Sequence, residues 1–211
     1  MSTYSGKSNH SLDIFLIGVG GQGLLTIGEV VAEAATALNI PVSFYPYKGM
    51  AQRGGLVRAQ LRLGRETVGP NIPPQGADLV IAMEVSEALR AIRALRPGGE
   101  FLLFGERWLP TAVMLGKAAY PTLEVVLEQI RAAGGTPIYL SPDLLPARMP
   151  ANLFVLGAAV GHTCLGDIIP AGAVEEAIRH RWPRNPGPNL AAFQAGFLEK
   201  PQRYEDPRIF V

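Results

Sequence analysis

Apolar positions along the chain recur in two periods. Ile14-Phe15-Leu16-Ile17 is a continuous apolar run of strand length, and it leads into Gly18-Val19-Gly20-Gly21-Gln22-Gly23. Leu24, Leu25, Ile27, Val30, Val31, Ala34, Ala35 and Leu38 then repeat at helical spacing, with Glu29, Glu33 and Thr36 on the other side, which predicts a helix over about 21–38. Pro41-Val42-Ser43-Phe44-Tyr45 reads as a second strand. In the next strand Val57, Ala59, Leu61 and Leu63 alternate with Arg58, Gln60 and Arg62, so period two places the arginines on one face. Residues 78–83 form a run suited to a strand buried on both faces, and 84–96 read as a helix with Arg90, Arg93 and Arg96 toward its C-terminal end. Pro97-Gly98-Gly99 predicts a turn into a strand at 100–104, and 107–120 is read as an added strand and a loop. Further on, Thr122 caps a helix to Ala133, 136–140 form a strand, and helices are expected at 152–165, 173–181 and about 188–200.

Strands alternating with helices predict an α/β fold: a three-layer, Rossmann-like domain with a mainly parallel, mixed central sheet, helices on both faces and a helical C-terminal part. The expected organisation is a polar tail at 1–11, one domain at 12–200 and a C-terminal tail at 201–211, either loose or clamping a partner. Composition adds exclusions. Hydrophobic residues make up 48% of the 211, enough for a substantial core, and a net charge of +1 gives no global attraction to nucleic acid or acidic membranes. No apolar stretch reaches membrane-spanning length and the N-terminal residues lack a signal-peptide pattern, so a cytoplasmic location is expected.

Gly18, Gly20 and Gly23 match G-x-G-x-x-G between a strand and a helix, where glycines allow a tight turn and close approach of an anion to the helix N-terminus. Close strand–helix packing needs glycine too, so a ligand-free turn is the other reading. No acidic residue lies between Ala34 and Arg65 to hold ribose hydroxyls, which disfavours NAD and leaves NADP open through Lys48 or Arg53. In place of that acid stands a basic, glycine-flanked loop, Gly49-Met50-Ala51-Gln52-Arg53-Gly54-Gly55. Arg58 and Arg62 are read as anion-binding groups, partner contacts or a solvated strand face. Cys164 is the one cysteine and supplies neither a disulfide nor a cluster's ligand set. It is read as a buried thiol, and His162 as a satisfied helix residue. No nucleophile–base pair or metal-ligand spacing stands out, so no catalytic residue is assigned.

The paired motifs, Gly18–Gly23 and Gly49–Gly55, resemble the gamma-type subunit or domain of 2-oxoacid:ferredoxin oxidoreductases, and the second is most similar to the small (beta) subunit of indolepyruvate oxidoreductases. Gly76-Ala77-Asp78, Glu84 with Ala88-Leu89-Arg90, Asn152 to Ala158, and Asn189 with Ala192-Phe193 and Gly196 extend the resemblance over about 12–199. The resemblance implies a multisubunit enzyme that oxidatively decarboxylates a 2-oxoacid to an acyl-CoA and passes electrons to ferredoxin. It implies that thiamine diphosphate, Mg2+ and iron–sulfur clusters sit in a large catalytic partner, and that this chain binds none of them and is inactive alone. Gly18, Gly20, Gly21, Gln22, Gly23, Met50, Gln52, Arg53, Gly54 and Gly55 are read as an anion-binding crevice with CoA as the candidate ligand, and a structural role bracing the subunit interface is the other reading of these loops. Leu56 and Tyr45-Pro46-Tyr47-Lys48 depart from the pattern, so the 2-oxoacid stays open among arylpyruvates, phenylglyoxylate and aliphatic acids. A stand-alone NADP-binding oxidoreductase and a purely structural assembly subunit are the alternatives.

Overall fold

The computed structural model describes residues 11–48, 55–65 and 69–204. Strand β1 (Leu12–Val19) runs through the centre and turns at the glycines into α1 (Leu24–Ala37). The crossover delivers β2 (Val42–Lys48), and β3 (Leu56–Leu63) returns to fill the place between β2 and β1, antiparallel to both. On the other side β4 (Ala77–Ala82), β5 (Leu95–Phe104) and β6 (Thr136–Leu140) continue parallel to β1, and β7 (Gln202–Arg203) closes that edge antiparallel to β6. The order is β2-β3-β1-β4-β5-β6-β7, a mixed sheet with a parallel centre. Pro46 lies in the edge strand β2, where a missing N–H costs least.

Alternation along the strands builds two cores. Leu79 and Ile81 of β4 face one layer, Val80 and Ala82 the other, and all four are buried. The first layer holds α1, α5 (Ala151–His162), α6 (Ala171–Arg181) and α7 (Gly187–Leu198); the second holds α2 (Val85–Ala91) and α4 (Leu123–Ala132). Helices therefore cover both faces, as the alternation of elements predicts. The small residues of α5 serve its crossing with α7: a Cβ at Gly157 would sit on the Phe193 carbonyl, and one at Gly196 on the Phe154 carbonyl. His162, at the end of α5, has its Nε2 3.1 Å from the Phe197 carbonyl oxygen, a satisfied position.

Three expectations are corrected. The helix read over 84–96 ends at Ala91, followed by a 3-10 turn (Ile92–Ala94), because β5 already starts at Leu95. Ala77 pairs with Leu95 and Leu79 with Glu100, so Pro97-Gly98-Gly99 is a bulge within a strand and not a turn before one. Gly98 supplies the left-handed φ of 76° there and donates its N–H to the Gly134 carbonyl. The segment 107–120 forms the short helix α3 (Thr111–Met114) within a loop and adds no strand. The tail is tied, as far as it is described, to this chain's own sheet: Ile138 pairs with Arg203 and Tyr139 with Gln202.

Candidate functional site

The glycine turn sits where β1 meets α1, at the C-terminal crest of the parallel strands, the usual place for a ligand in an open α/β sheet. Each glycine has its own reason. At Gly18 a Cβ would lie 2.7 Å from Gln22 Oε1 and 3.0 Å from Met83 Cβ, so this glycine serves packing. Gly23 caps α1 in a left-handed conformation (φ 71°), and a Cβ there would meet Asn152 Nδ2 at 2.5 Å. Asn152 donates from that nitrogen to the Gly23 carbonyl, fastening the turn to α5. Gly21 differs: its φ is 108°, it is exposed, and nothing lies within 4 Å of where a Cβ would be. Its requirement is backbone freedom at an open surface.

Gln22 turns inward. Its Oε1 accepts the Val19 N–H at 2.7 Å, and its Nε2 donates to the Met83 carbonyl and to Glu106 Oε2, both at 2.9 Å. The side chain thus ties β1 to the segments that follow β4 and β5. Two of the amides expected to face an anion are used inside the protein: Gly20 donates to the Gly55 carbonyl at 2.8 Å and Gln22 to the Val19 carbonyl at 3.2 Å. The N–H groups of Gly21 and Gly23 have no acceptor among the described residues, α1 has no side-chain cap, and its first turn carries no acid. That leaves the positive end of α1 open at the crest.

The Gly20–Gly55 bond brings the base of the second motif beside the first. Gly55 immediately precedes β3, while Met50, Gln52, Arg53 and Gly54 lie outside the described residues. The two arginines of β3 part company. Arg62 is buried and makes a bidentate pair with Asp13, Nε to Oδ1 at 2.9 Å and Nη2 to Oδ2 at 3.0 Å. It also donates to the Gly69 and Asn71 carbonyls, so it is neither a solvated nor a ligand-facing group. Arg58 instead stacks over Tyr47, 4.7 Å from the ring centroid, at the wall of a ≈ 420 Å³ cavity on the α2 side of the sheet.

Two carboxylates escaped the sequence reading as site features. Glu84 is fully buried at the N-terminus of α2 and accepts from Ser86 Oγ (2.7 Å), the Glu87 N–H (2.8 Å), the Trp108 N–H (3.1 Å) and the Tyr120 hydroxyl. An acid two residues past a buried strand and immediately before a helix is the signal for such a cap. Burial, and then the Glu84 bond, push the Tyr120 phenol well above the ordinary tyrosine range. Glu106, by contrast, stands in a loop with no periodicity, and no sequence signal marks it. Cys164 is partly buried, and burial followed by Glu100 pushes its thiol up to about 12, so it stays protonated and unreactive at neutral pH. No group of three His, Cys, Asp or Glu side chains able to hold a metal occurs among the described residues.

The comparisons with known proteins agree on one family. The family model for pyruvate ferredoxin/flavodoxin oxidoreductase matches residues 13–199. The indolepyruvate oxidoreductase subunit IorB of Archaeoglobus fulgidus is 34% identical over 174 residues, 80% of this chain and 84% of that one. The pyruvate oxidoreductase subunit PORC of Thermotoga maritima shares the fold with a TM-score of 0.67 at 23% identity, covering 92% of this chain and 99% of that chain. The 2-oxoglutarate:ferredoxin oxidoreductase of Magnetococcus marinus gives a TM-score of 0.57 at 19% identity; the match covers 88% of this chain and 30% of that longer one. With a family match spanning the glycine crest, the sheet and the α5–α7 layer together, the chain belongs to the pyruvate ferredoxin/flavodoxin oxidoreductase family.

Proposed function

We propose that this chain is the small subunit of a CoA-dependent 2-oxoacid oxidoreductase acting on indolepyruvate or a related arylpyruvate, with ferredoxin as electron acceptor. The observation that carries the reading is the 34% identity to a subunit named for indolepyruvate oxidoreductase, extending over most of both chains. In this reading a larger partner holds thiamine diphosphate, Mg2+ and iron–sulfur clusters, and those groups supply the decarboxylation and electron-transfer chemistry. The division of labour is supported by the single cysteine, which cannot ligate a cluster by itself.

This chain's own part is binding and positioning. A phosphate of CoA fits the donor set at the crest: the open amides of Gly21 and Gly23, the uncapped start of α1 and the absence of an acid in its first turn. Arg53, two residues before Gly55 in the sequence, would add a cation. A second reading, in which the crest braces the partner interface and holds no ligand, has an observation of its own. Gly18 and Gly23 are accounted for by packing, and Gln22 by its three hydrogen bonds.

One experiment separates these readings: purification with the co-expressed large subunit, then assay of CoA-dependent indolepyruvate oxidation for wild type and Arg53→Ala. The proposal expects activity only with both chains, and a raised KM for CoA in the variant. Unchanged CoA dependence in the variant supports bracing. A chain that purifies alone and binds NADP(H) refutes the subunit reading.

A further inference from the structure

The second helical layer, α2 and α4, covers β4 to β6 and reaches β1 through α2, but does not extend over β3 and β2. On that side the exposed or half-exposed side chains of Tyr45, Tyr47 and Arg58 have no helix over them among the described residues, and the segment 69–74 shields one margin. Strands of a parallel-centred sheet ordinarily have both faces covered. The ≈ 420 Å³ cavity lies in this uncovered half, between β3, the end of α2 and the 69–74 segment.

Its chemistry is lopsided. Arg58, Arg90 and Arg93 line it, and no Asp or Glu among the described residues does. Arg90 has Glu87 at 3.1 Å, while for Arg58 and Arg93 no carboxylate partner occurs among the described residues. Phe15, Ile17 and Leu56 form an apolar floor. Tyr47 stands over Arg58 and donates its hydroxyl to Asn71 Oδ1 at 2.6 Å, and Tyr45 packs edge-on against Tyr47 at 4.6 Å between centroids. Tyrosine and arginine around a concave apolar floor are the residue types and the shape of an interface anchor site.

We infer that this face is the docking surface for the large catalytic subunit, which presents an acidic segment bearing an apolar or aromatic side chain for the cavity. The inference rests on the subunit reading above. A protein segment suits the face better than a small anion does, because no helical layer covers β3 and β2 among the described residues, and the cavity is one depression beside them. The cationic rim selects acidic residues, and Tyr45, 40% exposed in the edge strand β2, extends the contact beyond the cavity.

The test uses the co-expressed pair and measures its dissociation constant at low and high salt. Wild type should assemble, more weakly as salt rises. Arg58→Glu/Arg93→Glu should weaken assembly roughly 100-fold or more, since like charges then face each other. Arg93→Glu alone, on an exposed side chain, should shift it in the same direction and guards against misfolding. Arg184→Glu, the same charge change between α6 and α7, should leave assembly unchanged. Equal affinity of the double variant and wild type overturns the inference while the subunit reading stands; failure of wild type to assemble overturns both. Inorganic pyrophosphate binding that the double variant loses, with assembly intact, would make the cavity a small-anion site and overturn the inference. So would a wild-type homodimer that the variant abolishes.

Discussion

Asp13 and Arg62 face each other across β1 and β3, and their replacement gives a quantitative test of how this sheet is held. Asp13 is 3% exposed and Arg62 9%. Removing the carboxylate in Asp13→Ala strands a buried guanidinium that keeps the Gly69 and Asn71 carbonyls as acceptors. Breaking a buried pair from one side costs about 3–5 kcal/mol. Arg65, which also reaches Asp13 at 3.3 Å, is partly exposed and can turn to solvent, so its share stays below about 1 kcal/mol. The expected loss for Asp13→Ala is therefore about 4 kcal/mol, a large part of a domain's stability.

Asp13→Leu/Arg62→Leu removes both charges together. Replacing a buried ion pair by apolar side chains is often neutral, and what remains is loss of the two tethers to 69–71, about 1 kcal/mol each. The double variant should thus be about 2 kcal/mol less stable than wild type and more stable than Asp13→Ala. Urea unfolding followed by circular dichroism, with the single Leu variants closing the cycle, measures the coupling. A loss below about 1 kcal/mol for Asp13→Ala would refute the structural role. So would an Arg62→Leu chain of unchanged stability that no longer assembles, since Arg62 would then serve a ligand or partner.

Further outcomes are expected at two glycines and at Cys164. Gly196→Ala places a Cβ on the Phe154 carbonyl, a backbone contact that cannot yield, and should cost at least about 3 kcal/mol or abolish soluble expression; Gly172→Ala, with open space around it in α6, should be neutral or slightly stabilising by thermal melting. Cys164 should resist thiol reagents at pH 8 in the folded protein, because its thiol is pushed up to about 12. The unfolded chain releases that proton near pH 8.5, so the stability the thiol contributes is fully present below about pH 8.5 and is lost as pH rises toward 12. The difference between wild type and Cys164→Ala across that range isolates the effect, and rapid labelling of the native protein at pH 8 would contradict it.

Elements whose hydrophobic period is long were legible from the sequence. α1, β4, β6 and α5 appear close to where the pattern places them, because one buried face or two decides their period. The helix end at Ala91 was not legible. Nothing in Ile92-Arg93-Ala94-Leu95 opposes a helix locally, and the early strand comes from Leu95 pairing with Ala77, a tertiary contact. Arg62 shows the same limit at the level of a side chain. Period two correctly put Arg58 and Arg62 on one face, but the polarity of that face depended on Asp13 lying opposite Arg62 and on 69–71 folding over it. One arginine is a buried strut and the other, four residues away on the same face, a cavity wall.

The glycine motif separates the two roles that its spacing conflates. G-x-G-x-x-G states where Cβ atoms are excluded and leaves open what excludes them. Here Met83 and Gln22 exclude one at Gly18, and Asn152 excludes one at Gly23. Neither exclusion requires a ligand. Gly21 is exposed with positive φ and an empty surrounding, and it lies outside the three positions that define the motif. If the crest binds an anion, the binding resides in the conformation Gly21 permits and in the amides left open beside it. A packing turn would be satisfied by Gly18 and Gly23 alone, so Gly21 is the position at which the binding and bracing readings diverge.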